Sequence, residues 1–135
     1  MKRLRVDANV LLRFLTGEPA DLAERAARLM IRAERGEVLL ILSPLVVAEM
    51  VWVLKSVYRR AYDEIAEVLV PLLSAVGLEA EDREMMIEAL ELTRKRNVDF
   101  LDAVLSLQAI SKDETVCTFD KTDFKRLSAK WLSPD

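Results

Sequence analysis

Four acidic side chains stand where apolar segments begin or end. Asp7 follows "RLRV", Glu49 lies inside "SPLVVAEMVWVL", Asp102 lies inside "DFLDAVLSLQAI", and Asp120 follows "TVCTF". Each has an ordinary structural explanation. Asp7 and Asn9 fit a turn or helix cap. Asp99 and Asp102, three residues apart at a helix start, resemble a capping box. Asp123 reads as a cap for the short element after it. Glu49 is harder to dismiss, because it is the only charge from Ser43 to Leu54 and buried carboxylates are rare unless paired or metal-bound. A single solvent-facing stripe on that helix is its plain alternative. Together, carboxylates meeting at one rim would repel and raise one another's pKa unless a cation intervened. Oxygen donors without histidine or cysteine suit Mg²⁺ or Mn²⁺, which can activate a water and neutralise a phosphodiester during in-line attack.

Composition narrows the chemistry from the other side. The chain has no histidine, which excludes Ser-His-Asp and Cys-His nucleophile pairs, histidine acid/base catalysis and histidine-rich metal sites. Its single cysteine, Cys117, cannot form an intrachain disulfide or a multi-thiolate zinc site, and reads as a small buried hydrophobe. With 20 basic against 23 acidic residues, a polyanion would need local basic groups or bound cations. Aromatics make up 6% of residues and do not interleave with basic ones, so nothing in the sequence points to base stacking. The 135 residues, 52% of them hydrophobic, suit a single domain over 1–135. No run is apolar enough for a membrane span or signal peptide, so a soluble, cytoplasmic protein is expected.

The elements that must position the acids follow from periodicity. Residues 4–6 read as a strand, and "NVLLRFL" as a helix ended by Gly17 and Pro19. Residues 21–37 form an amphipathic helix with Gly36 as its stop. Residues 38–42, "VLLIL", are a strand covered on both faces. Ser43 and Pro44 open a helix running to about Arg59. Further helices are expected over 63–76, kinked near Pro71, and over 81–96, with Asn97 at its end. Asp99 caps a helix over 100–112. Residues 115–119 form a strand, "KTDFKRL" a turn or short helix, and "AKWL" a last edge strand. Strands separated by helices imply an α/β fold with a parallel sheet, whose ligands collect outside the strand carboxyl ends.

At this point the sequence resembles the PIN-domain ribonucleases, and specifically the VapC toxins of prokaryotic toxin–antitoxin pairs. The motifs that carry the resemblance run in order along nearly the whole chain: "VDANVLLRFLTGEP", "SPLVVAEMVWVL", "VDFLDAVLSLQA" and "TFDKTDFKRL". It implies a three-layer α/β/α sandwich with a central parallel sheet, and an Mg²⁺ or Mn²⁺ site built from Asp7, Glu49, Asp102 and Asp120. Asn9 and Thr118 would support that site, with Asp99 as an accessory acid. The implied reaction is endonucleolytic RNA cleavage; the implied partners are a cognate antitoxin and a second copy of the chain. Family members often carry Thr-x-Asp-x-Asp-Phe, whereas "TFDKTDF" has one more residue between its aspartates, so Asp123 is less well placed by the pattern than Asp120. RNA phosphates could meet Arg13, the Lys55, Arg59 and Arg60 group, or Lys121, Lys125 and Arg126, although a solvated helix face is the better explanation for most of these. Partner contacts could use "VWVLKSVY" and the helix carrying Met85, Met86, Ile87 and Leu90, which also read as core stripes.

Three alternatives share these residues. A phosphatase of the haloacid-dehalogenase type needs an aspartate where Asn9 stands, which counts against it. A PIN-type RNA-processing nuclease without an antitoxin fits the same site. A non-catalytic binding module would have no need of four carboxylates on one rim.

Overall fold

The computed structural model describes residues 1–135. In order, its elements are β1 (Lys2–Arg5), α1 (Ala8–Thr16), α2 (Ala20–Glu34), β2 (Val38–Leu42), α3 (Pro44–Ser56), α4 (Tyr62–Leu73), β3 (Leu78–Ala80), α5 (Arg83–Arg96), α6 (Phe100–Lys112), β4 (Val116–Cys117), α7 (Lys121–Lys125) and β5 (Trp131–Leu132). The fold is α/β with a central parallel sheet, as expected. β2 lies in the middle, pairing in parallel with β1 (Arg5 opposite Ile41) and with β3 (Leu40 opposite Leu78). β4 and β5 form a second parallel ladder, with Val116 opposite Trp131, rather than extending the first.

β2 is apolar throughout because both of its sides are covered. Val38, Leu40 and Leu42 enter the main core with Leu11, Met50, Leu69, Leu73 and Leu90. On the opposite face, Ile41 is buried although its neighbours on β1 and β3 are charged. Arg3 reaches Glu79 at 2.9 Å, and Arg5 grips Glu81 through two bonds of 2.8 and 3.1 Å, so these pairs bridge β1 and the β3 side across β2. A smaller core under α6 joins Ala109, Val116, Phe124 and Ala129.

Local signals set the helix ends. The Ser43 hydroxyl accepts from the Leu45 N–H, with Pro44 in the first turn of α3. Gly17 and Asn97 adopt left-handed conformations that end α1 and α5. Gly77 has φ +84°, and a Cβ there would lie 2.3 Å from the Ala33 carbonyl oxygen, so only glycine lets β3 start against the end of α2.

Three expectations shift. The first strand runs over 2–5 rather than 4–6, α3 ends at Ser56 rather than near Arg59, and β3 was not anticipated. The sequence "LEA" offers no apolar run, because Glu79 faces outward to meet Arg3. Met86 and Leu90 are buried, which makes the α5 stripe core rather than partner surface. Cys117 is exposed, not buried. No helix is long and apolar enough to cross a membrane.

Candidate metal centre

β1 and β2 run in parallel, so Asp7, just beyond β1, and the start of α3 leave the same sheet edge. Asp7 takes the N-cap position of α1, yet its side chain makes no capping bond, which removes the plain explanation for a carboxylate there. Glu49, in the second turn of α3, is exposed and in line with exposed Leu45 and Trp52. The cost of burial therefore gives no reason to assign it a partner, and its candidacy rests on position.

The closest gathering of acids joins the start of α6 to the segment that follows β4. Asp102, Asp120 and Asp123 place carboxylate oxygens within 4.8 Å of one another. A chain of backbone bonds assembles them. Asp99 caps α6 by accepting from the Leu101 N–H at 3.1 Å, which fixes the helix that carries Asp102. Thr118 Oγ1 accepts from the Asp120 N–H at 2.9 Å, and Asp120 then caps α7 by accepting from the Asp123 N–H at 3.1 Å. Asp123 turns back and accepts from the Asp99 N–H at 3.0 Å, closing the circuit. The Arg126 guanidinium reinforces it by donating to the Asn97 carbonyl at 3.0 Å.

Both of the last two aspartates belong to the group, and the capping role falls to Asp120 rather than Asp123. Asp120 is the cap of the short helix, and Asp123, expected to be that cap, joins the acid group. The additional residue in "TFDKTDF" is absorbed by the first turn of α7, which brings Asp123 round to α6.

Asp102 carries the electrostatic consequence. Partial burial, a hydrogen bond with the Asp123 carboxyl and the charges of Asp99, Asp123 and Asp120 push its pKa up to about 7. Tyr62, at the start of α4, is also raised, first by burial and then by the charges of Asp99, Asp123 and Asp102. Tyr62 was missed in the sequence, where no periodicity or motif marks it, because its proximity to the acids is purely tertiary.

This donor set fits a hard divalent cation. Mg²⁺ is bound through one or two carboxylates together with waters, and this trio offers a carboxylate oxygen from each of three aspartates. None of the three forms an ion pair with lysine or arginine; the five ion pairs of the molecule lie elsewhere.

The remaining candidates are dispersed. Asn9 and Arg13 line a groove of about 390 Å³ between α1 and α2, together with Arg25. Arg60 pairs with Glu64 at 3.5 Å, Lys55 lies over the Tyr62 ring, and Arg59, Lys121 and Lys125 are exposed.

Removing the circuit's closing acceptor has a readable effect. Asp123→Ala is expected to lower stability by roughly 0.5 kcal/mol in urea unfolding, through loss of the exposed bond to the Asp99 N–H, whereas Asp123→Asn keeps an acceptor and should not. Equal losses in both variants would show that this bond does not hold α7 to α6.

Fold and site together define an α/β protein with an oxygen-donor acid cluster beyond the carboxyl ends of parallel strands. The chain belongs to the PIN-domain family, whose model matches residues 5–130. It is 28% identical over 130 residues to the VapC ribonuclease of Aquifex aeolicus, covering 96% of this chain and 95% of that protein. A crystal structure of VapBC2 from Rickettsia felis bound to a DNA fragment from their promoter aligns over the full length of both chains at 17% identity, with a TM-score of 0.38, too low to carry weight.

Proposed function

We propose that this protein is a divalent-metal-dependent endoribonuclease, the toxin of a type II toxin–antitoxin pair, folded as one domain over 1–135. The observation that carries the catalytic part is the Asp102, Asp120 and Asp123 group in a PIN-family chain. Full-length similarity to a VapC ribonuclease supports RNA as the substrate.

Asp102, Asp120 and Asp123 would hold Mg²⁺ or Mn²⁺, with Asp7 and Glu49 completing the site from the sheet edge. When bound, such a cation supplies an activated water and charge neutralisation at the phosphodiester. The chain's own part is positioning: Thr118 fixes Asp120, Asp99 fixes the helix bearing Asp102, and the circuit holds both against mutual repulsion. Arg13 and Lys121 are the basic side chains proposed to meet phosphates.

A cognate antitoxin and a second copy complete the reading, and it places the protein in the cytoplasm. The α1–α2 groove suits the antitoxin, since its apolar floor of Val10, Leu22 and Leu29 lies between Arg13 and Arg25. That pattern matches an amphipathic segment with acidic residues.

Purified, antitoxin-free protein should cut members of a panel of labelled single-stranded RNAs in Mg²⁺ or Mn²⁺ and lose that activity in EDTA. Correctly folded protein that cuts nothing in either metal would return the chain to a non-catalytic PIN fold.

A further inference from the structure

Beside the acid cluster, α3 and the starts of α4 and α6 enclose a cleft of about 260 Å³ lined by Trp52, Lys55, Tyr62, Asp99, Phe100 and Leu101, among others. Aromatic and basic side chains that are separate in sequence meet here. Lys55 Nζ sits 4.3 Å from the centre of the Tyr62 ring and forms no ion pair. Trp52 is 65% exposed and lines the cleft, so part of its indole is open to solvent there. Asp99 lines the cleft and donates its N–H to Asp123, which joins the cleft to the acid circuit.

We propose that this cleft binds one base of the RNA next to the cleaved phosphodiester, with Trp52 as its stacking platform and Lys55 as the contact to the adjoining phosphate. This rests on the ribonuclease reading above and adds a substrate-binding subsite to it. Three physical features select the occupant. The volume, about 260 Å³ and below the roughly 300 Å³ of drug-sized sites, suits a single planar ring. An exposed indole offers a face to any base, and stacking of this kind tolerates sequence. A lysine unpaired with any carboxylate complements a phosphate, and it lines the cleft beside Asp99.

The test compares Trp52→Ala, Trp52→Phe and Lys55→Ala with wild type on the same RNA panel, reading KM, kcat and the bases at each cut by end mapping. Trp52→Ala should raise KM roughly 5- to 100-fold for all RNAs and change kcat much less, and Trp52→Phe should restore most of the affinity. Lys55→Ala should weaken binding to all RNAs alike and reduce its salt dependence by about one charge. Because Trp52 is exposed, melting temperatures near wild type are expected and confirm that the variants fold. An active wild type whose Trp52→Ala variant keeps its KM overturns the subsite and leaves the nuclease reading intact. Trp52→Ala that halves the mass in light scattering without changing KM also overturns it, assigning the cleft to contact between copies. A wild type that cuts no RNA in either metal overturns the nuclease reading and the subsite together.

Discussion

Asp102→Asn is expected to lower RNA cleavage by roughly 10²- to 10³-fold, the loss that follows when one preorganised group stabilising transition-state charge is removed. The same substitution should make the metal-free protein more stable above neutral pH. The reason is linkage. In the folded chain the Asp102 carboxyl is held up to about 7 by burial, Asp123 and the charges of Asp99 and Asp120, whereas in the unfolded chain it titrates near 3.9. Between about pH 4 and 7 the folded state therefore binds more protons at this site than the unfolded state, so stability falls as pH rises through that window. The penalty is complete above pH 7 and absent below pH 4. Most of the side chain is solvated, and screening reduces the effect to about 1 kcal/mol. Asparagine removes it, so urea unfolding of wild type and variant should diverge above pH 7 and converge near pH 4. Opposite signs for activity and stability at one residue mark a group retained for chemistry rather than packing. Full activity in the variant would remove Asp102 from the site.

The second large effect is that of the cation on stability. A cation that binds only the folded state, at 100 times its dissociation constant, stabilises by about 2.7 kcal/mol, or roughly 8 to 10 °C for a chain of this length. Wild type should show this shift in Mg²⁺ or Mn²⁺, and the shift should grow as pH rises and Asp102 ionises. Asp102→Asn and Asp120→Asn should show less than a third of it. A shift retained in full by both variants would place the cation elsewhere.

How far the sequence anticipated these features depended on whether a signal was local. β2 and α6 were legible to the residue, because "VLLIL" and the run after Asp99 carry their own hydrophobic pattern and cap. The α3 start was equally plain in Ser43 and Pro44. β3 was not legible, since its three residues are held by pairing with β2 and by the Arg3–Glu79 bridge rather than by apolar content. At the site, Asp102 and Asp120 were marked by the elements they adjoin. Only the capping role of Asp123 was misplaced, because the first turn of α7, not linear spacing, gives the cap to Asp120 and still leaves both aspartates beside Asp102. Tyr62 and its contact with Lys55 were invisible for the same reason: a helix boundary and a chain reversal separate residues whose side chains touch.

The most direct measurement is anomalous diffraction at the manganese edge from crystals of the antitoxin-free protein grown with Mn²⁺. A single peak, or a pair, bridging the carboxylates of Asp102, Asp120 and Asp123 and reached from Asp7 is the expected result. Saturating Mn²⁺ with no peak at these residues would contradict the metal centre and with it the proposed cleavage chemistry.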